Sequence, residues 1–149
     1  MKKLLNKILK FKKKRVLDIS FQETMDLCDL PIITFRNNGK KVNFMLDTGS
    51  SISILESEIA KELDKEFSGD LSTILSISNE RLPGEGYEIT FTYRDYTFTD
   101  VFYIADIGKA FEKVKEKKGI HIHGLLGTDF FKKYNYVLDF DELKAYIKK

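Results

Sequence analysis

A predicted β-hairpin near residue 40 leads directly into a turn that carries a carboxylate and two hydroxyl groups. Residues 31–35 (PIITF) are rich in β-branched and aromatic side chains, which favour a strand. Residues 37–40 (NNGK) are typical of a hairpin turn, because Asn and Gly tolerate positive φ. Residues 42–46 (VNFML) return as the partner strand and run into residues 47–50 (DTGS). An apolar strand therefore delivers a single Asp into a tight turn.

Most of the chain beyond residue 15 has the alternating or β-branched pattern of strands. Residues 78–86 are polar and rich in turn-forming residues. No linker is long enough to divide the 149-residue chain, so we predict one domain over residues 16–149, preceded by a separate segment, residues 1–15. The further predicted strands are 17–21, 52–55, 74–77, 87–93, 97–104, a short apolar strand reaching Gly127, 136–140 and 143–147, and the predicted helices are 57–63, 109–118 and one containing Phe130, Phe131 and Tyr134.

Basic residues are concentrated at the start of the chain. Residues 1–15 (MKKLLNKILKFKKKR) contain eight Lys or Arg and no acidic residue, whereas the whole chain has 25 basic and 23 acidic side chains and a formal net charge of +2. The remaining residues therefore carry a net charge of −6. The near-neutral total argues against a strongly basic nucleic-acid-binding domain. The single cysteine, Cys28, excludes an intrachain disulfide and a Cys-rich metal site.

The segment 1–15 has the pattern of neither a secretory signal nor a membrane span. Lys7 and Lys10 interrupt its apolar residues, and no run approaches the roughly 18 apolar residues of a spanning helix. Four interpretations stay open: a solvated basic tail, weak contact with an anionic membrane surface, weak nucleic-acid binding, and packing against the body or a partner. We expect no specific nucleic-acid partner, and a cytoplasmic location with the membrane surface as the alternative.

The turn at residues 47–50 is the strongest candidate for chemistry. Gly49 lets the backbone approach closely, and its amide and the neighbouring hydroxyls are able to hold the Asp47 carboxylate in place. A D-T-G tripeptide is common by chance, however. The alternative is a strand-ending turn in which Asp47 caps the local backbone, and the tripeptide alone favours that alternative.

The residues around this turn and two later segments form a pattern. Residues 45–54 (MLDTGSSISI) place two apolar residues before D-T-G-S and a β-branched stretch after it. Residues 125–131 (LLGTDFF), some 80 residues on, place two aliphatic residues and a Gly before a predicted helix. Residues 83–86 (PGEG) lie between them. This arrangement resembles the retropepsin-like aspartic proteases, the single-domain retroviral type, in their bacterial or cellular form. The resemblance covers residues 31–147 and implies an all-β, acid-protease-like closed barrel with a flap hairpin and one to three short helices.

The resemblance implies an aspartic endopeptidase that needs no metal or cofactor. Such an enzyme requires two facing aspartates, and this chain has one D-T-G, so Asp47 of one subunit would meet Asp47 of a second in a homodimer that cleaves a peptide or protein substrate. Thr48 would hydrogen-bond across the dimer axis, Gly49 would present its backbone to the substrate, and Ser50 would hydrogen-bond to the outer oxygen of Asp47. The other positions carried over are Leu126 and Gly127, packing behind the loop, and Pro83, Gly84 and Gly86, in the substrate-binding flap.

The chain departs from the retroviral pattern in three places. The acidic and Arg positions that pair in the viral enzymes are occupied here by Ser51 and Thr128, the flap candidate is polar, and the insertion 107–122 is long. Two rival functions therefore stay open. One is a catalytically inactive peptide-binding or dimerisation module of the same fold, and the other is a regulatory protein tethered to a membrane or partner through residues 1–15.

Three other residues with reactive side chains have ordinary interpretations. His121 and His123 lie two residues apart, which on a strand would direct both rings to one face. Because no third ligand type lies nearby in the sequence, we expect surface or packing histidines and no metal site. Cys28 is interpreted as a small buried apolar residue.

Overall fold

The computed structural model describes residues 15–75 and 81–148, so the basic segment up to residue 14, residues 76–80 and Lys149 lie outside the described residues. The strands are β1 (Arg15–Ser20), β2 (Ile32–Asn37), β3 (Lys40–Leu46), β4 (Ile54–Glu56), β5 (Glu66–Leu75), β6 (Arg81–Tyr93), β7 (Tyr96–Ala105), β8 (Gly124–Leu126), β9 (Tyr136–Asp139) and β10 (Lys144–Lys148). The helices are α1 (Gln22–Cys28), α2 (Ser57–Ala60), α3 (Gly108–Lys118) and α4 (Thr128–Lys133).

Six strands close into a barrel. The larger sheet has the order β2-β3-β8-β4-β7-β6-β5, and an additional pairing between β2 and β6 joins the ends of its first six strands. The hairpins β2–β3 and β6–β7 are antiparallel, whereas β3–β8 and β4–β7 are parallel pairs. Strand β5 lies beyond β6, at the edge of this sheet. The predicted all-β closed barrel is therefore confirmed.

Aromatic side chains at alternate strand positions fill the barrel. Phe35 on β2 and Phe44 on β3 are buried, whereas Arg36, which directly follows Phe35, is exposed, as the two-residue period of a strand requires. The ring centroids of Phe35 and Phe98 are 5.0 Å apart, and those of Phe44 and Phe91 are 5.2 Å apart. Each buried Phe contributes about 1.5–3 kcal/mol by leaving water, so this cluster is a main source of barrel stability.

A three-stranded antiparallel sheet, β1-β10-β9, packs onto the same core. Its buried residues Ile19, Ala145 and Ile147 belong to the apolar cluster that contains the barrel phenylalanines. The predicted last hairpin, 136–140 with 143–147, is confirmed by β9 and β10. The turn residue Leu143 accepts a hydrogen bond at 2.9 Å from the backbone N–H of Phe21, which links this hairpin to the end of β1.

The described residues contain four short helices, where one to three were predicted. The additional helix is α1, which has no buried residue and therefore lacks the apolar period that would have revealed it. Cys28, its last residue, is partly exposed and not buried as predicted. Helix α3 confirms the prediction for residues 109–118, and Gly119 ends it with φ of 72°. No helix in the described parts of the chain is long and apolar enough to cross a membrane.

The prediction of a turn-rich stretch at 78–86 is wrong for residues 81–86. These residues form the first half of β6 and pair with β5, Pro83 opposite Thr73 and Gly84 opposite Ser72. Among the described residues, β7 pairs with β6 only from Glu85 onwards, so Pro83 is paired on one side, with β5. A proline is tolerated at an edge of this kind because its missing N–H removes no hydrogen bond to a second strand.

Candidate active site

The parallel pair β3–β8 positions Asp47. Strand β3 ends at Leu46, which is paired with Leu126. The backbone N–H of Asp47 donates to the carbonyl oxygen of Leu126 at 2.9 Å, so the pairing continues one residue beyond the strand. Asp47 is therefore held at the carboxyl end of two parallel strands, half-buried, with its loop beginning immediately after the barrel wall.

The loop after β3 folds back onto the Asp47 carboxylate. The backbone N–H of Gly49 donates to Asp47 Oδ1 at 2.9 Å, and the N–H of Ser50 donates to the Asp47 carbonyl oxygen at 3.2 Å. A Cβ on Gly49 would lie 3.2 Å from Oδ1, a tight contact that glycine avoids. No hydrogen bond within the described residues occupies Oδ2. One carboxylate oxygen is thus fixed by the backbone and the other is left for a ligand, water or second chain.

Within the described residues, the hydrogen bond found for the Ser50 hydroxyl goes to a group other than the Asp47 carboxylate. This hydroxyl donates to the carbonyl oxygen of Ile52 at 2.7 Å. The turn places this carbonyl two residues ahead, within reach of the short Ser side chain, so the hydroxyl satisfies local backbone instead. Thr48 is exposed, and no hydrogen bond of its hydroxyl is found within the described residues.

Gly127 lies in direct contact with the loop. A Cβ at this position would be 2.4 Å from the carbonyl oxygen of Ile52 and 2.8 Å from that of Ser50, so no larger residue fits without movement of backbone. The N–H of Thr128 donates to the same Ser50 oxygen at 2.8 Å. Leu126, next to it, is fully buried in the barrel core. Gly127 therefore packs directly against the backbone of the loop, and Leu126 lies beside it in the core.

A Ser–Asp pair, in which Ser53 is buried and Asp129 is partly buried, joins the two motifs and was absent from the sequence-based site. Asp129 accepts the backbone N–H of Ser53 at 3.0 Å and the Ser53 hydroxyl at 2.8 Å, and the N–H of Gly127 donates to Ser53 Oγ at 3.1 Å. Asp129 Oδ1 also accepts the N–H of Phe130 at 2.7 Å. Ser53 is only 2% exposed. Ser53 lies six residues after Asp47 and Asp129 two after Gly127, but no local pattern in the sequence indicates that the two side chains pair.

A second apolar cluster adjoins the loop on the outer face of the barrel wall. Leu126 and Leu55 point into the main core, so Leu125 and Ile54 point the opposite way, because successive strand side chains alternate. The cluster consists of buried Ile54 and Ala105 and the partly buried Ile52, Tyr103, Ile107 and Leu125. Burial raises the pKa of Tyr103, with smaller contributions from the Asp70 and Asp129 carboxylates. The cluster offers a half-open apolar surface that sequence reasoning did not identify.

The candidate flap is the hairpin of β5 and β6. Pro83 and Gly84 lie in its two-stranded part, close in sequence to residues 76–80, which are outside the described residues. Gly86 lies further along β6, where β7 is also paired, and a Cβ there would be 2.8 Å from Ser68 Oγ and 2.9 Å from Val101 Cγ1. Glycine at this position therefore permits close packing of β5 and β7 on either side of β6.

The two histidines precede β8 and do not lie in a strand. Their ring centroids are 4.2 Å apart. His121 Nε2 is 3.1 Å from Oε2 of the buried Glu56, and His123 Nδ1 accepts the backbone N–H of Asn43 at 2.9 Å. Among the described residues, no group of three or more His, Cys, Asp and Glu side chains is arranged to hold a metal ion.

Comparison with known families adds a sequence match across both motifs. A family model described as aspartyl protease matches residues 33–130, which include the loop at Asp47 and the motif at Gly127. No curated protein sequence matches this chain.

Comparison with solved structures reveals the same fold. The EIAV protease, solved in complex with an inhibitor, is 18% identical, and the match covers 74% of this chain and 92% of the viral one with a TM-score of 0.52. The retroviral protease-like domain of Ddi1 from Leishmania major is 13% identical, with 79% and 87% of the two chains covered and a TM-score of 0.54.

Proposed function

The chain belongs to the aspartyl protease family, and on that premise we propose that it is an aspartic endopeptidase whose active site forms at a homodimer interface. The observation that carries the proposal is the Asp47 carboxylate, which is fixed through Oδ1 by the Gly49 amide while Oδ2 is unengaged within the described residues. A half-buried carboxylate held in this way is suited to contact a water molecule and a second carboxylate.

A second copy of the chain supplies the second aspartate. The other acids near the motifs are committed elsewhere: Asp129 accepts three hydrogen bonds, and Asp139 Oδ1 accepts the backbone N–H groups of Asp141 and Glu142 at 3.0 and 2.9 Å. A two-fold axis beside the loop would bring Asp47 of both subunits together. The exposed hydroxyl of Thr48 is available to hydrogen-bond across that axis.

The reaction follows from two carboxylates about 3 Å apart that share one proton. The ionised carboxylate takes a proton from a water molecule, whose oxygen attacks the carbonyl carbon of the scissile peptide bond. The protonated carboxylate donates its proton to the carbonyl oxygen, which forms a neutral tetrahedral diol. Proton transfer to the amide nitrogen then breaks the C–N bond and releases an amine and a carboxylic acid. The pair returns to its starting protonation state.

The substrate is proposed to be an extended peptide that lies between the loop and the β5–β6 hairpin. An extended chain satisfies its backbone groups by pairing with strand edges, and its side chains alternate between pockets. The partly buried Ile52, Tyr103 and Leu125 beside the loop would accept apolar side chains. A peptide with apolar residues around the scissile bond is therefore the expected substrate.

The second candidate is a catalytically inactive peptide-binding or dimerisation module of the same fold. It is favoured by the local hydrogen bond from Gly49 to Asp47, which is also the geometry of an ordinary Asx turn at a strand end. In that case Asp47 would serve the loop and not a reaction.

Replacement of Asp47 by Asn tests the proposal, because it keeps the shape and the acceptor oxygen but removes the carboxylate. The purified full chain would be incubated with a peptide mixture between about pH 4 and 7, and cleavage followed by mass spectrometry. We expect cleavage by the wild type, none above background by Asp47→Asn, and unchanged cleavage by Asp95→Asn, a control at an exposed hairpin turn.

Sedimentation of the same samples separates the two candidates. A wild type that dimerises and binds peptides without cleaving them would establish the inactive module. Cleavage that persists in Asp47→Asn would contradict the assignment of Asp47, and cleavage by a strictly monomeric protein would contradict the shared active site.

A further inference from the structure

A small basic cavity lies on the outer face of the barrel wall, at the end of β3 opposite to Asp47. Its volume is about 290 Å³, and none of its lining residues is acidic. Lys41 precedes Asp47 by six residues on one extended strand, which separates the two by roughly 20 Å. The cavity is thus distinct from the candidate active site. It is lined by Thr34, Arg36, Lys41, Thr92, Tyr93 and Arg94.

Two of these cations are direct cross-strand neighbours. Arg36 on β2 is opposite Lys41 on β3, and its neighbour on the other side is Thr92 on β6. Like charges at directly opposite positions destabilise a sheet. In the parts of the chain that the structure describes, neither residue forms an ion pair, although the adjacent Lys40 pairs with Glu62. Within the described residues, no ion pair of Arg36 or Lys41 therefore offsets the repulsion between them.

The third cation is held in an unfavourable backbone conformation. Arg94 occupies the turn between β6 and β7 with φ of 52°, a left-handed region in which hairpins normally use Asn or Gly. Its guanidinium carbon lies 5.3 Å from the centroid of the Tyr93 ring. Strained backbone is often retained where a side chain has a function. This turn residue places a third positive charge beside the same cavity.

One cation of the cavity, Arg36, is oriented by a hydrogen bond to the protein backbone. Arg36 Nη1 donates to the carbonyl oxygen of Gly39 at 2.9 Å, which fixes the guanidinium plane and leaves its other N–H groups available. An anion placed between these cations would replace their mutual repulsion with charge-assisted hydrogen bonds. The planar guanidinium matches the paired oxygens of a phosphate, and several cations around one cavity favour a dianion over a single carboxylate.

We propose that Arg36, Lys41 and Arg94 form a binding site for a phosphate group. The cavity is larger than an inorganic phosphate ion, so the group would belong to a phosphorylated small molecule or to a lipid headgroup. Both sources offer the same chemistry to the site. Binding here would not compete with a peptide at Asp47, because the two places lie at opposite ends of β3.

Calorimetric titration of the full chain with pyrophosphate tests the soluble source. We expect saturable binding that weakens about tenfold in Arg36→Gln, since a charge-assisted contact is lost. Arg94→Asn should weaken binding similarly while keeping the turn, because Asn tolerates the left-handed conformation. The control Lys113→Gln removes one exposed charge from α3 and should bind as the wild type does. All four proteins retain the basic segment 1–15, so its contribution cancels.

Vesicle sedimentation with the same four proteins tests the lipid source. Phosphatidylcholine vesicles with and without phosphatidic acid would be compared. A loss specific to Arg36→Gln and Arg94→Asn in this assay alone assigns the site to a headgroup, and the same loss with pyrophosphate alone assigns it to a soluble phosphate. Absence of a difference between these variants and Lys113→Gln in both assays would overturn the proposal.

Discussion

The loop at Asp47 and the hairpin β5–β6 are built in opposite ways. The loop is held by β8, by Gly127 against its carbonyl groups and by the Ser53–Asp129 pair. Strand β5 of the hairpin, in contrast, pairs with β6 alone among the described residues, and its Leu71 is 75% exposed. The first arrangement suits a group that must stay within a fraction of an ångström for chemistry, and the second suits a surface that closes on a substrate.

The largest effect on stability is expected when a side chain is added at Gly127, which packs against the Asp47 loop. Gly127→Ala should lower the free energy of unfolding by about 3 kcal/mol, because its Cβ would lie 2.4 Å from backbone that cannot turn aside. Denaturant unfolding measures this loss. The matched control is Gly119→Ala, which meets no atom within 4 Å but keeps a strained φ of 72°, so it should cost about 1 kcal/mol. Equal losses in the two variants would mean that the loop tolerates displacement.

A smaller loss of stability is expected when the Ser53–Asp129 hydrogen bonds are removed. Asp129→Ala leaves the N–H of Ser53 without its acceptor in an environment that is 2% exposed, which should cost about 2 kcal/mol. Peptide cleavage should fall as well, mainly in kcat, since the loop would be less well positioned. Asp95→Ala, an exposed acid, should change stability by less than about 0.5 kcal/mol. Unchanged stability of Asp129→Ala would show that the pair is dispensable.

Low pH should lower the stability of the folded protein through His123, which precedes β8. Burial, and then the neighbouring His121, Lys40 and Lys115, lower the pKa of His123 from 6.5 to about 4. The unfolded chain then binds a proton more readily than the folded one, so stability falls as the pH drops from about 6.5 to about 4 and is unaffected above that range. Because the ring is only half-buried, the loss should be about 1–2 kcal/mol.

Thermal unfolding between pH 7 and pH 4 measures this dependence. His123→Gln should reduce the slope, and His121→Gln, a control at the partly exposed ring that contacts Glu56, should keep most of it. A slope that is unchanged in His123→Gln would assign the acid sensitivity to another group.

The smallest stability effect belongs to the hairpin. Leu71→Ser should change the free energy of unfolding by less than about 0.5 kcal/mol, because the side chain is already in water. It should raise the KM for peptides, because the proposed substrate lies against this hairpin, and leave kcat nearly unchanged. Leu27→Ser, at a side chain 45% exposed on α1, is the control that should alter neither. A large loss of stability in Leu71→Ser would remove the contrast between hairpin and loop.

Most strands of the barrel could be predicted from the sequence, since each depends on local patterns. The two-residue period around Phe35 and Phe44 and the Asn38-Gly39 turn indicate the first hairpin without reference to the rest of the chain. The same local reasoning failed at residues 81–86, where Pro83 and two glycines resemble a turn. Whether such residues form a strand depends on which edges of that strand have neighbours, and this is a property of the sheet.

The candidate site was predictable only in part for a similar reason. The D-T-G-S and L-L-G motifs predicted Asp47 and Gly127 as site residues, whereas the hydrogen bond of the Ser50 hydroxyl to the Ile52 carbonyl oxygen depends on how the turn folds. The Ser53–Asp129 pair joins residues 76 positions apart in the chain. The apolar cluster beside the loop similarly collects residues from segments far apart in sequence, so no local pattern reveals it.

The order of apolar and polar residues was sufficient to establish a β-rich chain with one aspartate at the end of a strand, because alternation and turn chemistry act over a few neighbouring residues. Which residues surround this aspartate depends on closure of the barrel. The parallel pairing of β3 with β8 brings Leu126 and Gly127 against a loop some 80 residues earlier in the chain. Contacts over that separation arise from packing and long-range hydrogen bonds, which no short stretch of sequence encodes.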